Sequence, residues 1–203
     1  RSYYKEADVT ILYKAVTEDM GSVSLGSESI KAIQGDADGS TPTAKDGYEF
    51  KGWYSDANLT DPWAFAEADT PDKITRDTVI YGQLTPKTYA VSYDANANGD
   101  ATVNGIPAAQ TKTHGVALPL TMTNPTRDGH TFKGWATSPT GPVAYQPGGQ
   151  YLNDAPVTLY AVWEKLTYTV TISSGAGYST VPAGAATVNW HDPFTFTVNV
   201  DRQ

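Results

Sequence analysis

The sequence predicts a mainly β protein in which small modules follow one another in tandem, two complete and a third partial, in an elongated arrangement. Three observations carry this. The chain matches itself in ordered blocks spaced by about 80 residues. Thirteen Tyr, five Trp and runs rich in Thr and Val favour strands, because aromatic and β-branched side chains pack well on a pleated surface. Asp-Gly and Asn-Gly pairs stand between the runs and supply the positive φ that turns need.

The strongest block is Lys45-Asp46-Gly47-Tyr48-Glu49-Phe50-Lys51-Gly52-Trp53. It recurs 82 positions later as Arg127-Asp128-Gly129-His130-Thr131-Phe132-Lys133-Gly134-Trp135, with six of nine residues identical. Upstream, Val9-Thr10-Ile11-Leu12-Tyr13 parallels Tyr89-Ala90-Val91-Ser92-Tyr93 at a spacing of 80; downstream, Thr78-Val79-Ile80-Tyr81 parallels Val157-Thr158-Leu159-Tyr160 at 79. The spacing changes only between blocks, where loops tolerate insertions. A third opening strand, Tyr168-Thr169-Val170-Thr171-Ile172, begins 79 residues after Tyr89, but no third Gly-Trp block follows. So long a period exceeds that of solenoid repeats, and each copy is expected to bury its own core. The expected modules are 1–86, 87–165 and a partial or variant third at 166–203. Their short joins, Pro86-Lys87 and Glu164-Lys165, favour a semi-rigid rod over a floppy string.

Each module opens on an alternating apolar strand and enters a turn region, Glu18-Asp19-Met20-Gly21 in the first and Asn96-Ala97-Asn98-Gly99-Asp100 in the second, where Asn-Gly suits a tight hairpin. The pairs Asp46-Gly47 and Asp128-Gly129 then launch a strand that ends in Gly-Trp. Tyr48 and Phe50 share one face of it, and strict alternation would aim Trp53 at the other. An extra residue at Gly52, and likewise at Gly134, would return the indole to the core face, so an irregularity is predicted within two residues of each Gly. Asp61-Pro62 carries a helix-start signal, good for one or two turns. An extended segment competes with it, because the second copy has Gly141-Pro142 through Pro147-Gly148-Gly149 at that place.

With 39% hydrophobic and 18% charged residues the chain is expected to fold around packed cores. It has no cysteine, which excludes disulfides, thiol catalysis and cysteine metal sites. A net charge of -8 argues against nucleic acid and anionic membranes as partners. The acidity is uneven: residues 1–86 hold fifteen Asp and Glu against eight Lys and Arg, whereas 87–165 hold five of each. No apolar run reaches the length of a membrane span, so no membrane insertion is expected within this segment. The start at Arg1, without a signal-peptide pattern, suggests a monomeric piece of a larger chain.

Pro125-Thr126-Arg127-Asp128-Gly129-His130-Thr131-Phe132-Lys133-Gly134-Trp135, preceded by Tyr93-Asp94-Ala95-Asn96 and closed by Thr158-Leu159-Tyr160-Ala161-Val162-Trp163, resembles the internalin B-repeat, or Listeria-Bacteroides repeat, family. Residues 87–165 match that pattern well. Residues 4–86 match more loosely, with Leu84 in place of the closing Trp and an acidic insert over 34–40. The resemblance implies β-grasp-like modules with at most one short helix each, strung on secreted or wall-attached bacterial proteins. It brings no catalytic residues.

The residues themselves offer little chemistry. Asp94-Ala95-Asn96-Ala97-Asn98-Gly99 fits the first half of a calcium loop, yet the twelfth place is Gly105 where a bidentate Glu is required. Gly35-Asp36-Ala37-Asp38-Gly39 is a shorter carboxylate cluster that reads as a solvated loop. His114, His130 and His191 lack the spacing of a zinc helix, and no Ser sits on a strand-to-helix elbow. No catalytic, cofactor or metal site is therefore assigned, and no enzyme activity is expected. Tyr3, Tyr4, Tyr145, Tyr151 and Tyr178 are the aromatics offered for stacking on sugars. The function expected is an extracellular structural or adhesive stalk with a protein or glycan ligand, the alternative being an accessory carbohydrate-binding region of a large secreted enzyme.

Overall fold

A computed structural model describes residues 6–33, 35–65, 74–100, 102–173 and 175–201. The chain divides into two compact units, one of residues 1–88 with Thr113–Val116, the other of Tyr89–Lys112 with residues 117–203.

The first unit has strands β1 (Asp8–Ala15), β2 (Gly21–Val23), β3 (Ser27–Lys31), β4 (Pro42–Ala44), β5 (Tyr48–Tyr54), β6 (Pro62–Trp63) and β7 (Thr78–Pro86). Five form one mixed sheet in the order β3-β1-β7-β5-β6, with β1 and β7 parallel and the other pairs antiparallel. β2 and β4 make a separate ribbon. The predicted alternation of β1 holds: Val9, Ile11 and Tyr13 are buried, and they meet Ile30, Ile74 and Ile80 in one cluster. Trp53 and Phe65 pack against Tyr13 with ring centroids 5.6 and 6.0 Å away.

The second unit repeats this plan with β8 (Thr88–Asp94), β9 (Gln110–Thr113), β10 (Leu118–Pro119), β11 (His130–Ala136), β12 (Gln150–Tyr151) and β13 (Val157–Lys165). Its sheet order, β11-β13-β8-β9, reproduces β5-β7-β1-β3, again with the opening and closing strands parallel. Its core is Val91, Leu120, Trp135, Tyr151, Leu159 and Ala161. Four further strands, β14 (Thr167–Ile172), β15 (Tyr178–Val181), β16 (Gly184–Asn189) and β17 (Thr197–Val200), form the ribbons β14-β16 and β15-β17.

The predicted irregularity falls at both glycines. The β5-β7 register shifts between Phe50 and Gly52, and the β11-β13 register between Phe132 and Gly134. Gly52 and Gly134 have φ of +154° and +135°, backbone that L side chains rarely adopt. The bulge returns each indole to the side of its Phe, with Phe50 to Trp53 at 5.3 Å and Phe132 to Trp135 at 5.0 Å, both edge-on. Leu84 and Trp163 occupy the same rung, opposite Phe50 and Phe132.

Two expectations change. Pro62 and Trp63 are extended, since β6 pairs with the end of β5; Trp135 bridges Tyr145 at the matching place in the second unit. The rest of the helix signal, 66–68, lies outside the described residues. Among those residues the helical structure is a single 3-10 turn, Glu18–Met20, so a helix that would complete a β-grasp is not among them. Asn98-Gly99 does turn, but inside the long connection from β8 to β9 rather than in a tight hairpin. Asn96, also at positive φ, holds that connection: its Nδ2 donates to the carbonyls of Pro139 and Ala161 at 2.8 and 3.0 Å. A loop tied to the body need not close in two residues.

Candidate binding surfaces

The acidic insert of the first unit is anchored from below. Glu28 of β3 accepts the Tyr13 hydroxyl and the backbone N–H groups of Asp38 (2.8 Å) and Gly39 (3.1 Å). Ala37 turns toward the core, whereas Asp36 and Asp38 are exposed. The loop thus shows two carboxylates to solvent on a fixed backbone. No group of three or more His, Cys, Asp or Glu able to hold a metal occurs among the described residues. In the half-match to a calcium loop, Asp94 Oδ1 accepts the Asn96 N–H at 2.7 Å, which makes it an Asx turn.

The second unit carries a cleft of about 410 Å³ lined by Asp100, Thr102, Arg127, Asp128, His130, Lys165, Trp190 and His191. Most of its charges are committed to one another. Asp100 accepts the N–H and hydroxyl of Thr102 at 2.9 and 2.8 Å and the Arg127 Nε at 2.9 Å. The Thr102 hydrogen bonds and the Arg127 guanidinium hold its carboxyl down to about 2. Arg127 also lies over the Trp163 ring, 5.9 Å from its centroid. Lys165 pairs with Asp192 at 2.8 Å, and this pair, with the Asn189 amide, keeps the Asp192 carboxyl below its usual value. His130 Nδ1 lies 2.8 Å from the Asp128 carbonyl. The rings of Trp190 and His191 stack at 4.5 Å and 24°. These contacts fix the orientation of the charged and aromatic groups that line the cleft.

Because the folded carboxyl of Asp100 titrates below the ordinary 3.8, its stabilising contribution is present above that value and is lost as pH falls through about 2. Asp100→Asn should therefore flatten the acid limb of the second unit's stability between those limits. Urea midpoints at several acid pH values would check it; an unchanged slope would contradict the assignment.

The aromatics offered for stacking divide sharply. Tyr151 is 2% exposed, belongs to the core and is corrected as a binding candidate; Tyr145 is half-buried and packs on it at 5.8 Å. Tyr178 is 37% exposed; Tyr3 and Tyr4 lie outside the described residues. His114-Gly115 and His191-Asp192 form turns, with Gly115 and His191 at positive φ. The cleft itself, and Trp190 in it, were missed by sequence reasoning. The visible signal was an aromatic pair, Trp190-His191, at the place where the second copy has His114-Gly115.

Two copies with the same strand order, the same bulged Gly-Trp strand and unlike polar surfaces define a tandem β-repeat protein whose common property is its core. Residues 10–83 and 89–162 both match the family model of the Listeria-Bacteroides repeat domain, and the chain belongs to that family. It is 31% identical over 137 residues to a putative Gly-rich membrane protein of Evansella cellulosilytica, covering 67% of this chain and 14% of that one. A putative membrane protein of the same organism is also 31% identical over 137 residues, covering 68% and 19%. Internalin H of Listeria monocytogenes is 31% identical over 126 residues, covering 61% and 21%. The chain thus spans about a fifth or less of the length of these relatives. No solved structure matches it significantly. No helix among the described residues is long and apolar enough to cross a membrane.

Proposed function

We propose that this chain is a stretch of a structural and adhesive arm of a bacterial surface or secreted protein, acting outside the cell as a spacer or display stalk. One observation carries the reading: the copies share the bulged Gly-Trp strand and its pairing and differ in their exposed polar groups. The bulge, the Phe-Trp pair and the parallel opening and closing strands recur, whereas the acidic loop belongs to the first copy and the ring-and-ion-pair cleft to the second unit. A reaction shared by the repeat would need shared polar groups. The names of the relatives, two membrane proteins and an internalin, support a surface location. In this reading 1–86, 87–165 and 166–203 are successive modules of a monomeric segment, and any protein or glycan ligand meets the surfaces where they differ. The alternative, an accessory carbohydrate-binding region of a secreted enzyme, draws on the stacked Trp190 and His191 beside Arg127 and Asp128.

A glycan array probed with the whole chain separates the two. A spacer gives no signal above a scrambled-glycan background, and saturable binding lost in Trp190→Ala would favour the carbohydrate-binding reading.

A further inference from the structure

The Asp-Gly turn has a second property beyond its backbone conformation: it receives a ring. In the second unit, a Cβ placed on Gly129 (φ +66°) would stand 2.0 Å from the Trp190 indole, so the ring occupies the space a side chain would take. The backbone around it is tied in a fixed way. The Leu166 N–H donates to the Gly129 carbonyl at 2.8 Å, and the Trp190 N–H donates to the Leu166 carbonyl at 2.8 Å.

The first unit contains the same arrangement at the matching positions. A Cβ on Gly47 (φ +84°) would stand 2.0 Å from the His114 imidazole, in the turn Thr113–Val116 that belongs to this unit. The Lys87 N–H donates to the Gly47 carbonyl at 2.8 Å, and the His114 N–H donates to the Lys87 carbonyl at 2.9 Å. Tyr48, next to Gly47, meets the imidazole edge-on at 5.3 Å. Two turns 82 residues apart in sequence thus share a glycine, a join residue and a ring with the same hydrogen-bond order. Turn geometry alone does not require this, since Asn also tolerates positive φ at a turn. The ring needs the missing Cβ.

We propose that the Asp-Gly turn of this repeat is a ring socket, filled by an aromatic or imidazole ring from a turn further along the chain. The ring residue is His114 after β9 and Trp190 after β16. The equivalent turn after β3 has Ala32, whose N–H makes the matching bond to Ala7 at 3.0 Å, and it carries no ring. The residue at that turn therefore decides whether the socket is filled. The Asp-Gly pair that both copies share serves as a receptor as well as a turn. In the second unit Lys165–Asp192, at 2.8 Å, adds an ion pair beside the ring.

Amide hydrogen exchange on the whole chain tests this. Trp190→Ala should raise exchange at the Leu166 and Trp190 amides at least tenfold, while β11 and β13 amides stay within twofold and report that the core is folded. Trp190→Phe, which keeps a ring, should retain most of the protection. Gly129→Ala should mimic Trp190→Ala by expelling the ring. Unchanged protection at Leu166 and Trp190 in Trp190→Ala overturns the proposal, as does equal loss in the Phe and Ala variants. Because Gly129→Ala also strains its own turn, the Trp190 pair decides if the two disagree. The test involves no ligand, so its outcome is independent of whether the arm binds one.

Discussion

Trp135→Ala lowers the stability of the second unit by about 3 to 5 kcal/mol, the range for emptying a buried aromatic site. The indole has no exposed surface and is enclosed by Tyr93 at 4.8 Å, Phe132 at 5.0 Å and the buried Ala161 on the facing strand. Its Nε1 has no hydrogen-bond partner among the described residues, so part of its packing gain is offset by a buried donor. Trp135→Phe should for that reason cost less than the lost ring volume alone implies. The bulge beneath it is equally exacting: a Cβ on Gly134 would lie 2.6 Å from Val143 Cγ1 and 2.8 Å from the Tyr145 carbonyl, whereas one on Gly52 meets nothing closer than 3.8 Å. Both Ala variants are strained at positive φ, but Gly134→Ala adds a backbone clash and should be the more damaging of the two. Urea unfolding of the four variants checks the order. Trp135→Ala that keeps its midpoint while losing ligand binding would show the indole to be a platform and not a core anchor.

Lys112 offers the second large effect. It is 1% exposed, paired with Asp154, on the strand β9 that takes the place of β3. The shared bonds of the following turn, Ala32 to Ala7 and His114 to Lys87, align Lys112 with Ile30, which is buried against the first core. One copy thus satisfies with an ion pair a position the other fills with an apolar side chain. Desolvating an ammonium is expensive, and apolar replacement of a buried pair is often neutral or stabilising by about 1 to 4 kcal/mol. Lys112→Ile with Asp154→Ala should therefore match or exceed the parent in stability. Asp154→Ala alone takes the carboxylate from a buried ammonium and should cost about 3 kcal/mol, the low end for a broken buried pair because the carboxylate is 29% exposed. A double variant less stable than that single one would show the site shaped specifically for the pair. Thermal melts of the parent and both variants, at one pH, measure the difference.

What could be read from the sequence was whatever recurs at short range. The Phe-Lys-Gly-Trp spacing contradicted strict alternation, and only a bulge resolved it, so Gly52 and Gly134 were foreseeable from four residues. Leu84 in place of Trp163 was equally visible, because the register opposite Phe50 and Phe132 follows from the blocks. Long-range partners were not legible. Nothing in the text of the chain says that Asn96 reaches Pro139, that Lys112 turns inward toward Asp154, or that Trp190 lies on Gly129. Those contacts depend on where loops close, and loop length carries little information about where a loop goes. Tyr151 shows the converse: offered for stacking on sugars, it is brought into the core by the pairing of its strand with Leu118.

The parallel neighbours at the middle of each sheet bear on how a repeat responds to force. β1 and β7 are the first and last strands of their copy and run side by side from Ile11–Thr78 to Ala15–Gly82; β8 and β13 do the same from Val91–Val157 to Asp94–Tyr160. A pull on the two ends of a copy draws these strands past each other along their length, loading the rungs of the ladder together in shear instead of parting them one at a time. Forced unfolding is governed by the barrier to that collective rupture and not by equilibrium stability. The same pairing that brings the ends of a copy into its core makes tension along the chain the direction in which the copy yields last.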